Sequence, residues 1–181
     1  MAKGMKWVAG ILCLLTLLFT CLYLHIRHDI WLTLAITFGT FGYHFCVRLL
    51  IGGIYSTAMR NRADYTKRWF QTGKAEMHLY RKLNVKKWKG RLPTFDPSLF
   101  DTDIHTLDEI AQAMCQAELV HETIAALSFL PIAAGARFGA YPVFIVTSVL
   151  AALFDMMLVM MQRYNRQRVM RLLERERAAS R

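Results

Sequence analysis

The sequence predicts an all-α integral membrane protein, a bundle of about four transmembrane helices with an interfacial basic segment between helices 2 and 3. Hydrophobic residues make up 55% of the 181 residues, a share well above that of soluble proteins. They are concentrated in three long stretches, and the last of these has room for two spans of about 20 residues each. Because the charged residues fall almost entirely outside these stretches, we predict a single membrane domain covering residues 1–181.

The first predicted span covers residues 7–26 and follows two lysines, an arrangement that a secretory signal peptide shares. The apolar run is too long for a signal peptide, and no small-residue cleavage site follows it before Arg27. We therefore expect the run to remain as an anchor. A tight turn at residues 27–29 then leads into the second span.

The second predicted span covers residues 30–55 and contains two ionisable side chains, His44 and Arg48. Because these residues are four apart on a helix, they share one face. Ionisable groups are costly inside a bilayer unless they are paired or face water, so both are candidate functional residues.

A polar and basic segment, residues 56–105, separates the second and third spans and retains aromatic side chains, among them Trp69 and Trp88. This mixture is typical of the membrane–water interface, and we expect part of the segment to lie along the bilayer surface. Thr106, followed three residues later by Glu109, predicts a capped helix start at the end of the segment.

The third and fourth spans are predicted at residues 110–134 and 143–161, with an outer turn at residues 135–142 between them. Pro131 is expected to kink the third span near its end. After the fourth span the chain continues as a basic amphipathic tail, residues 162–181, which we place in the cytoplasm.

Positive charge is distributed unevenly along the chain. Of the 23 lysines and arginines, two precede the first span, eleven lie in residues 60–91 and seven follow the fourth span, whereas the opposite side holds only Arg27 and Arg137. The positive-inside rule then places both termini and the 56–105 segment in the cytoplasm, in a multi-pass protein of the cell membrane. This pattern argues against nucleic-acid binding, and some of these residues are expected to face anionic membrane lipids.

The polar residues within the spans are expected to form one site near the cytoplasmic helix ends. Three of them, Glu118, His121 and Glu122, lie at i, i+3 and i+4 and therefore share a helix face. We expect this face to point toward the remaining polar residues of the spans, which are His44, Arg48 and Asp155.

These residue types fit general base catalysis. A histidine can remove a proton from an alcohol while a neighbouring carboxylate fixes its tautomer and stabilises the imidazolium. His121 with Glu118 meets this requirement. Two alternatives remain open: a non-catalytic lipid-binding or assembly subunit whose buried charges hold the bundle together, and a metal-dependent membrane enzyme that uses Glu118 and His121.

We predict no metal site. The Glu-x-x-His pattern of di-iron four-helix proteins occurs here once, whereas those proteins use two copies and further carboxylates. The four cysteines lie inside or beside predicted spans and lack metal-ligand spacing, so they are expected to pack as small apolar side chains.

Two motifs carry a resemblance to a known family. They are Ala-Glu-Leu-Val-His at residues 117–121 and Gln-Arg-Tyr-Asn-Arg-Gln-Arg at residues 162–168, preceded by a basic, tryptophan-bearing stretch at residues 81–89. In order and spacing they resemble the glycosyl-diaponeurosporenoate acyltransferases of bacterial staphyloxanthin-type carotenoid biosynthesis, over roughly residues 65–175. Glu122 stands where that family is expected to have an aromatic or apolar residue.

The resemblance implies a membrane-embedded O-acyltransferase. Such an enzyme moves a fatty acyl chain from a cytoplasmic thioester, acyl-CoA or acyl carrier protein, to a hydroxyl of a lipid-linked sugar or similar amphiphile, without a further cofactor. His121 and Glu118 are then the catalytic candidates, and Asn165 or Arg48 is the expected donor to the oxyanion. The candidate substrate- and donor-binding residues are Arg163, Asn165, Arg166, Arg48, His44 and Trp88.

Overall fold

The computed structural model describes residues 2–179, and the regular secondary structure within them is entirely helical. The α-helices are α1 Ala2–Ile26, α2 Asp29–Met59, α3 Lys74–Lys82, α4 Val85–Trp88, α5 Leu107–Leu127, α6 Pro131–Phe138 and α7 Tyr141–Ala179. Short 3-10 turns cover Arg68–Phe70, Lys89–Arg91 and Pro97–Phe100. The last two residues of the predicted tail, 180–181, lie outside the described residues.

Four helical stretches of the described chain are long and apolar enough to cross a membrane. They are Lys3–Ile26, Asp29–Met59, Leu107–Phe138 and Tyr141–Ala179. The all-helical, four-span prediction is therefore confirmed. At 1.5 Å per residue, the 39 residues of α7 extend about 58 Å, nearly twice the hydrocarbon thickness of a bilayer, so its basic second half continues beyond the apolar span.

The third predicted span is divided at Pro131. A proline lacks the N–H that would bond to the carbonyl four residues earlier, so α5 ends at Leu127 and α6 begins at Pro131 itself. The Leu127 carbonyl instead accepts from Leu130 N–H at 3.1 Å and from the Tyr43 hydroxyl at 2.8 Å. The outer turn is shorter than predicted, because α6 continues to residue 138 and Gly139, at φ +69°, ends it.

The chain forms two compact units, each made of two sections of sequence. The first contains the chain up to Gly53 together with Thr123–Phe154. Within it α1 packs along α2: the Phe19 and Phe38 rings stack at 5.3 Å. Gly39 permits this approach, since a Cβ there would lie 3.3 Å from the Thr16 side chain. Apolar side chains on the rest of α1 are exposed, as expected of a surface that meets lipid.

The second unit contains Ile54–Glu122 and the chain from Asp155 onward. Its centre is α5, which is buried almost all round between residues 110 and 118. Ala111 and Cys115 of this helix form a core with side chains from neighbouring segments, which are Ala63, Tyr65, Phe70 and Leu173. Charged groups on this part of α5 are therefore shielded from solvent and need partners within the protein.

The predicted cap at the start of α5 is confirmed. Thr106 Oγ1 accepts from Glu109 N–H at 3.2 Å, and a Glu109 carboxylate oxygen accepts from Thr106 N–H at 2.9 Å. These reciprocal bonds form a capping box, which satisfies backbone donors that the helix itself leaves open.

Thr106→Ala is expected to lower the free energy of unfolding by about 1 kcal/mol, because the side-chain acceptor for the first turn of α5 is lost. Thermal unfolding of the detergent-solubilised protein, followed by circular dichroism, measures the effect. Thr102→Ala is the control, since Thr102 is exposed and makes no side-chain hydrogen bond to a described residue. Equal midpoints for the two variants would show that the cap contributes nothing.

Candidate active site

Two helices of the second unit carry its buried polar residues. On α7, Asp155, Val159, Gln162 and Arg166 lie at i, i+4, i+7 and i+11, and all four are buried. This spacing places them on one face of the helix. The facing helix is α5, whose Glu118 is fully buried. The polar side chains of the two helices are thus brought together inside the unit.

His121 of α5 and Asp155 of α7 form a hydrogen-bonded pair. His121 Nδ1 lies 3.0 Å from Asp155 Oδ1. The Asp155 side chain is fully buried, whereas that of His121 is 22% exposed. A carboxylate at Nδ1 favours the tautomer with the proton on that nitrogen, which leaves Nε2 as an acceptor. No described residue hydrogen-bonds to Nε2, so this nitrogen can take a proton from a bound molecule.

Glu118 pairs with two arginines of α7, so the expectation that it pairs with His121 is wrong. Its Oε1 accepts from Arg163 Nε at 2.7 Å and its Oε2 accepts from Arg166 Nη1. The two helices run antiparallel here, and therefore His121, one turn further along α5, meets an earlier turn of α7. That turn carries Asp155.

The arginines also bind the segment before α5. Arg163 Nη2 donates to the Trp69 carbonyl at 2.9 Å, and Arg166 Nη2 donates to the Phe70 carbonyl at 2.5 Å. A second carboxylate, Glu76 on α3, accepts from Arg163 Nη1 at 3.0 Å. Through these contacts the two guanidinium groups connect α7 to α5 and to the 68–76 segment.

The edge of this network next to His121 is formed by Glu122 and Trp69. Trp69 Nε1 donates to Glu122 Oε2 at 3.0 Å, and Arg163 Nη2 lies 3.6 Å from Glu122 Oε1. On the other side, Glu76 accepts from the Tyr80 hydroxyl. Burial, followed by the hydrogen bond to Glu76 and then the negative charge of Glu76, raises the pKa of Tyr80, so this hydroxyl stays protonated as a donor.

Asn165 lies beside Lys89, the last lysine of the basic segment. Lys89 Nζ donates to Asn165 Oδ1 and lies 5.0 Å from the centre of the Tyr164 ring. Burial, followed by the charges of Arg168 and Lys86, lowers the pKa of Lys89.

Three further candidate residues are described within their own elements. Trp88 ends α4, and its indole N–H donates to the Leu83 carbonyl at 3.0 Å, which holds the chain between α3 and α4. His44 and Arg48 belong to the first unit. There His44 is buried, and Arg48 donates to the His44 carbonyl at 3.1 Å. The ring of Phe154 lies 5.7 Å from the Arg48 guanidinium carbon.

Sequence reasoning did not pair Asp155 with His121. It also did not pair Arg163 with Glu76 or Trp69. The sequence does indicate that Asp155 faces other polar residues. It is the one acidic residue within the apolar run 143–161, and it shares a helical face with Gln162 and Arg166. Glu76 and Trp69 carry no comparable signal, since they lie in a segment of polar and aromatic residues without a clear period.

Groups suited to metal binding do not gather in the described part of the chain. Within residues 2–179, no group of three or more His, Cys, Asp or Glu side chains lies close enough together to hold a metal ion. The cysteines are unpaired by disulfides, and the Cys13 and Cys46 sulfur atoms lie 3.7 Å apart. The arrangement that supports proton chemistry is the pair of His121 and Asp155.

Comparison with known protein families identifies a match that covers the site. A family model described as glycosyl-4,4'-diaponeurosporenoate acyltransferase matches residues 62–175, more than half of the chain. The matched range includes His121, Asp155, Glu118 and both arginines. No curated protein and no solved structure matches the chain.

Proposed function

Because the chain belongs to the glycosyl-4,4'-diaponeurosporenoate acyltransferase family, we propose that it is a membrane-embedded O-acyltransferase with His121 as its general base. The donor in this proposal is a fatty acyl thioester that arrives from the cytoplasm. The acceptor is a hydroxyl of a lipid-linked sugar or a similar amphiphile. The fold supports this assignment, since four helices are long and apolar enough to cross a membrane. An acyl chain and a lipid acceptor can both reach a protein that lies within the bilayer.

The observation that carries the proposal is the contact between His121 Nδ1 and Asp155 Oδ1. A histidine that is oriented by a buried carboxylate, with its second nitrogen open, is the arrangement that general base catalysis of acyl transfer requires. The partly exposed side chain of His121 leaves room for a hydroxyl to approach.

In the proposed reaction His121 Nε2 accepts the proton of the acceptor hydroxyl as its oxygen attacks the thioester carbonyl carbon. The new C–O bond gives a tetrahedral intermediate whose negative oxygen needs nearby donors. Collapse of the intermediate re-forms the carbonyl and breaks the C–S bond. The imidazolium then returns the proton to the leaving thiolate, while the Asp155 carboxylate stabilises the positive ring between the two transfers.

Glu118, Arg163 and Arg166 act as positioning residues in this proposal. The two arginines hold the 68–76 segment, α5 and α7 together through protein acceptors. We assign them this role rather than contact with the donor, because binding a phosphate would require them to release a buried carboxylate.

Glu118→Ala is expected to destabilise the protein by about 3–5 kcal/mol, because it leaves Arg163 and the buried Arg166 without their shared carboxylate. Thermal unfolding in detergent measures the change. Glu174→Ala is the matched control, since Glu174 is an exposed glutamate on α7, the helix that carries both arginines, and its loss is expected to change stability by less than about 0.5 kcal/mol.

A double variant tests the cause of this loss. Glu118→Leu combined with Arg166→Met removes both buried charges, and we expect it to be more stable than Glu118→Leu alone. If the double variant is the less stable one, the buried pair does not hold the unit together through its charges.

The function is tested with the full chain reconstituted in lipid nanodiscs, supplied with a radiolabelled long-chain acyl-CoA and a glycolipid acceptor. We expect a radiolabelled ester and an equal amount of free thiol. Product formation by the His121→Asn variant at the wild-type rate would overturn the assignment of the base. Thiol release without an ester would contradict acyl transfer and indicate hydrolysis.

A further inference from the structure

The basic segment before α5 carries positive charge that the described structure does not neutralise. Residues 60–91 contain eleven lysines and arginines but only two acidic residues. Among the residues that the structure describes, no lysine or arginine of this segment lies within ion-pair distance of a carboxylate. Four carboxylates of the unit pair instead with arginines of α7: those of Glu76, Asp108, Glu118 and Glu122. The segment therefore retains cations that can bind an anion.

Lys89 is a cation of this segment that side chains of α7 hold in place. Its ammonium donates to Asn165 and lies over the Tyr164 ring. An ammonium has three N–H donors, so the bond to Asn165 leaves two for a ligand. The side chain is half-buried, which lowers the dielectric around its charge and strengthens its attraction for an anion.

Two further cations flank Lys89. Lys86 lies one helical turn earlier, in α4, which continues directly into the 3-10 turn that contains Lys89. Arg168 lies three residues after Asn165 on α7, and this spacing places both on the same side of that helix. The side chains of Lys86 and Arg168 are exposed. Burial and then the charges of Arg168 and Lys86 lower the pKa of Lys89, so both cations lie close enough to act on its ammonium.

We propose that Lys86, Lys89 and Arg168 form a binding site for a phosphate group of the soluble thioester donor, of the coenzyme A type. The proposal rests on the acyltransferase function and assigns donor binding to residues other than Arg163 and Arg166. A guanidinium can bind a phosphate through two parallel hydrogen bonds, and lysine ammonium groups add charge without a fixed direction.

The position of the proposed phosphate site, beside Asn165 on α7, favours the thioester donor over a lipid head group as its ligand. Asn165, which holds Lys89, follows Asp155 by ten residues, a separation of about 15 Å along the helix axis. Coenzyme A carries its thioester at the end of an extended pantetheine arm, away from its phosphates. When a phosphate is bound at Lys89, the pantetheine arm can therefore extend along α7 toward His121.

Binding of coenzyme A alone to the full chain in phosphatidylcholine nanodiscs tests the site by isothermal titration calorimetry. Lys89→Gln and Arg168→Gln are each expected to raise the Kd by about tenfold, the loss of one charged hydrogen bond. Lys89→Arg is expected to restore most of the affinity. Lys74→Gln is the matched control, because it removes one exposed positive charge from the same segment, and its Kd is expected to change by less than about twofold.

Three results would overturn the proposal. Unchanged affinity in Lys89→Gln and Arg168→Gln removes these residues from donor binding. An equal loss of affinity for coenzyme A in Lys74→Gln shows that any positive charge of the segment contributes, and that no specific site exists at Lys89. If the variants weaken only the binding to phosphatidylglycerol-containing vesicles, the site belongs to lipid head groups. His121→Asn is expected to bind coenzyme A normally, so failure of the catalytic proposal and failure of this site give different results.

Discussion

His121→Asn is expected to lower kcat for acyl transfer by about 10²- to 10⁴-fold, the contribution that general acid–base catalysis usually makes. The asparagine amide can still donate to the buried Asp155 carboxylate, so the contact that now joins α5 to α7 has a replacement. It has no nitrogen that takes up a proton near neutral pH. Loss of activity with retained folding would therefore report the missing base.

The measurement is ester formation in nanodiscs, paired with the thermal midpoint of the same preparation. His78→Asn is the matched control: His78 is an exposed histidine of α3 whose side chain has no hydrogen bond to a described residue, so activity is expected to stay near wild type. His121→Ala extends the test, since it lacks the base and also leaves Asp155 without this donor. An active, well-folded His121→Asn protein would exclude His121 as the base.

Asp155→Asn is expected to lower kcat by about 10²- to 10⁴-fold while KM for donor and acceptor stays close to wild type. An asparagine can present its amide N–H to Nδ1, which favours the tautomer with the proton on Nε2 and so removes the acceptor that the reaction needs. The same change in Ser-His-Asp enzymes costs about 10⁴-fold for this reason. It also removes the negative charge that stabilises the imidazolium.

A split between kcat and KM separates this positioning role from a merely structural one. A protein that has lost its packing is expected to lose substrate affinity and thermal stability together with kcat. Asp103→Asn, in the exposed loop before α5, is the control for removal of one aspartate charge. An Asp155→Asn variant with a normal kcat would show that the contact to His121 is not used in catalysis.

The spans and the cap of α5 could be predicted because each depends on residues close in sequence. A transmembrane helix needs only an apolar run of sufficient length, and the capping box needs only Thr106 and Glu109. At Pro131 the sequence predicts a kink, whereas the structure divides the span into two helices there. A proline within a helix can kink it or end it, and here the Tyr43 hydroxyl provides the acceptor at Leu127 with a partner from another helix.

The sequence by itself determined the four apolar helices and which ionisable residues lie within them. An ionisable group in an apolar run is costly, so its presence can be recognised from a single sequence. Only the tertiary structure decided which charges pair. Antiparallel α5 and α7 bring Asp155 to His121 and two arginines to Glu118, although helical spacing alone places Glu118 beside His121. Spacing within one helix tells which residues share a face, but the partner of each depends on how the facing helix is aligned, and that alignment is set by packing over the whole unit.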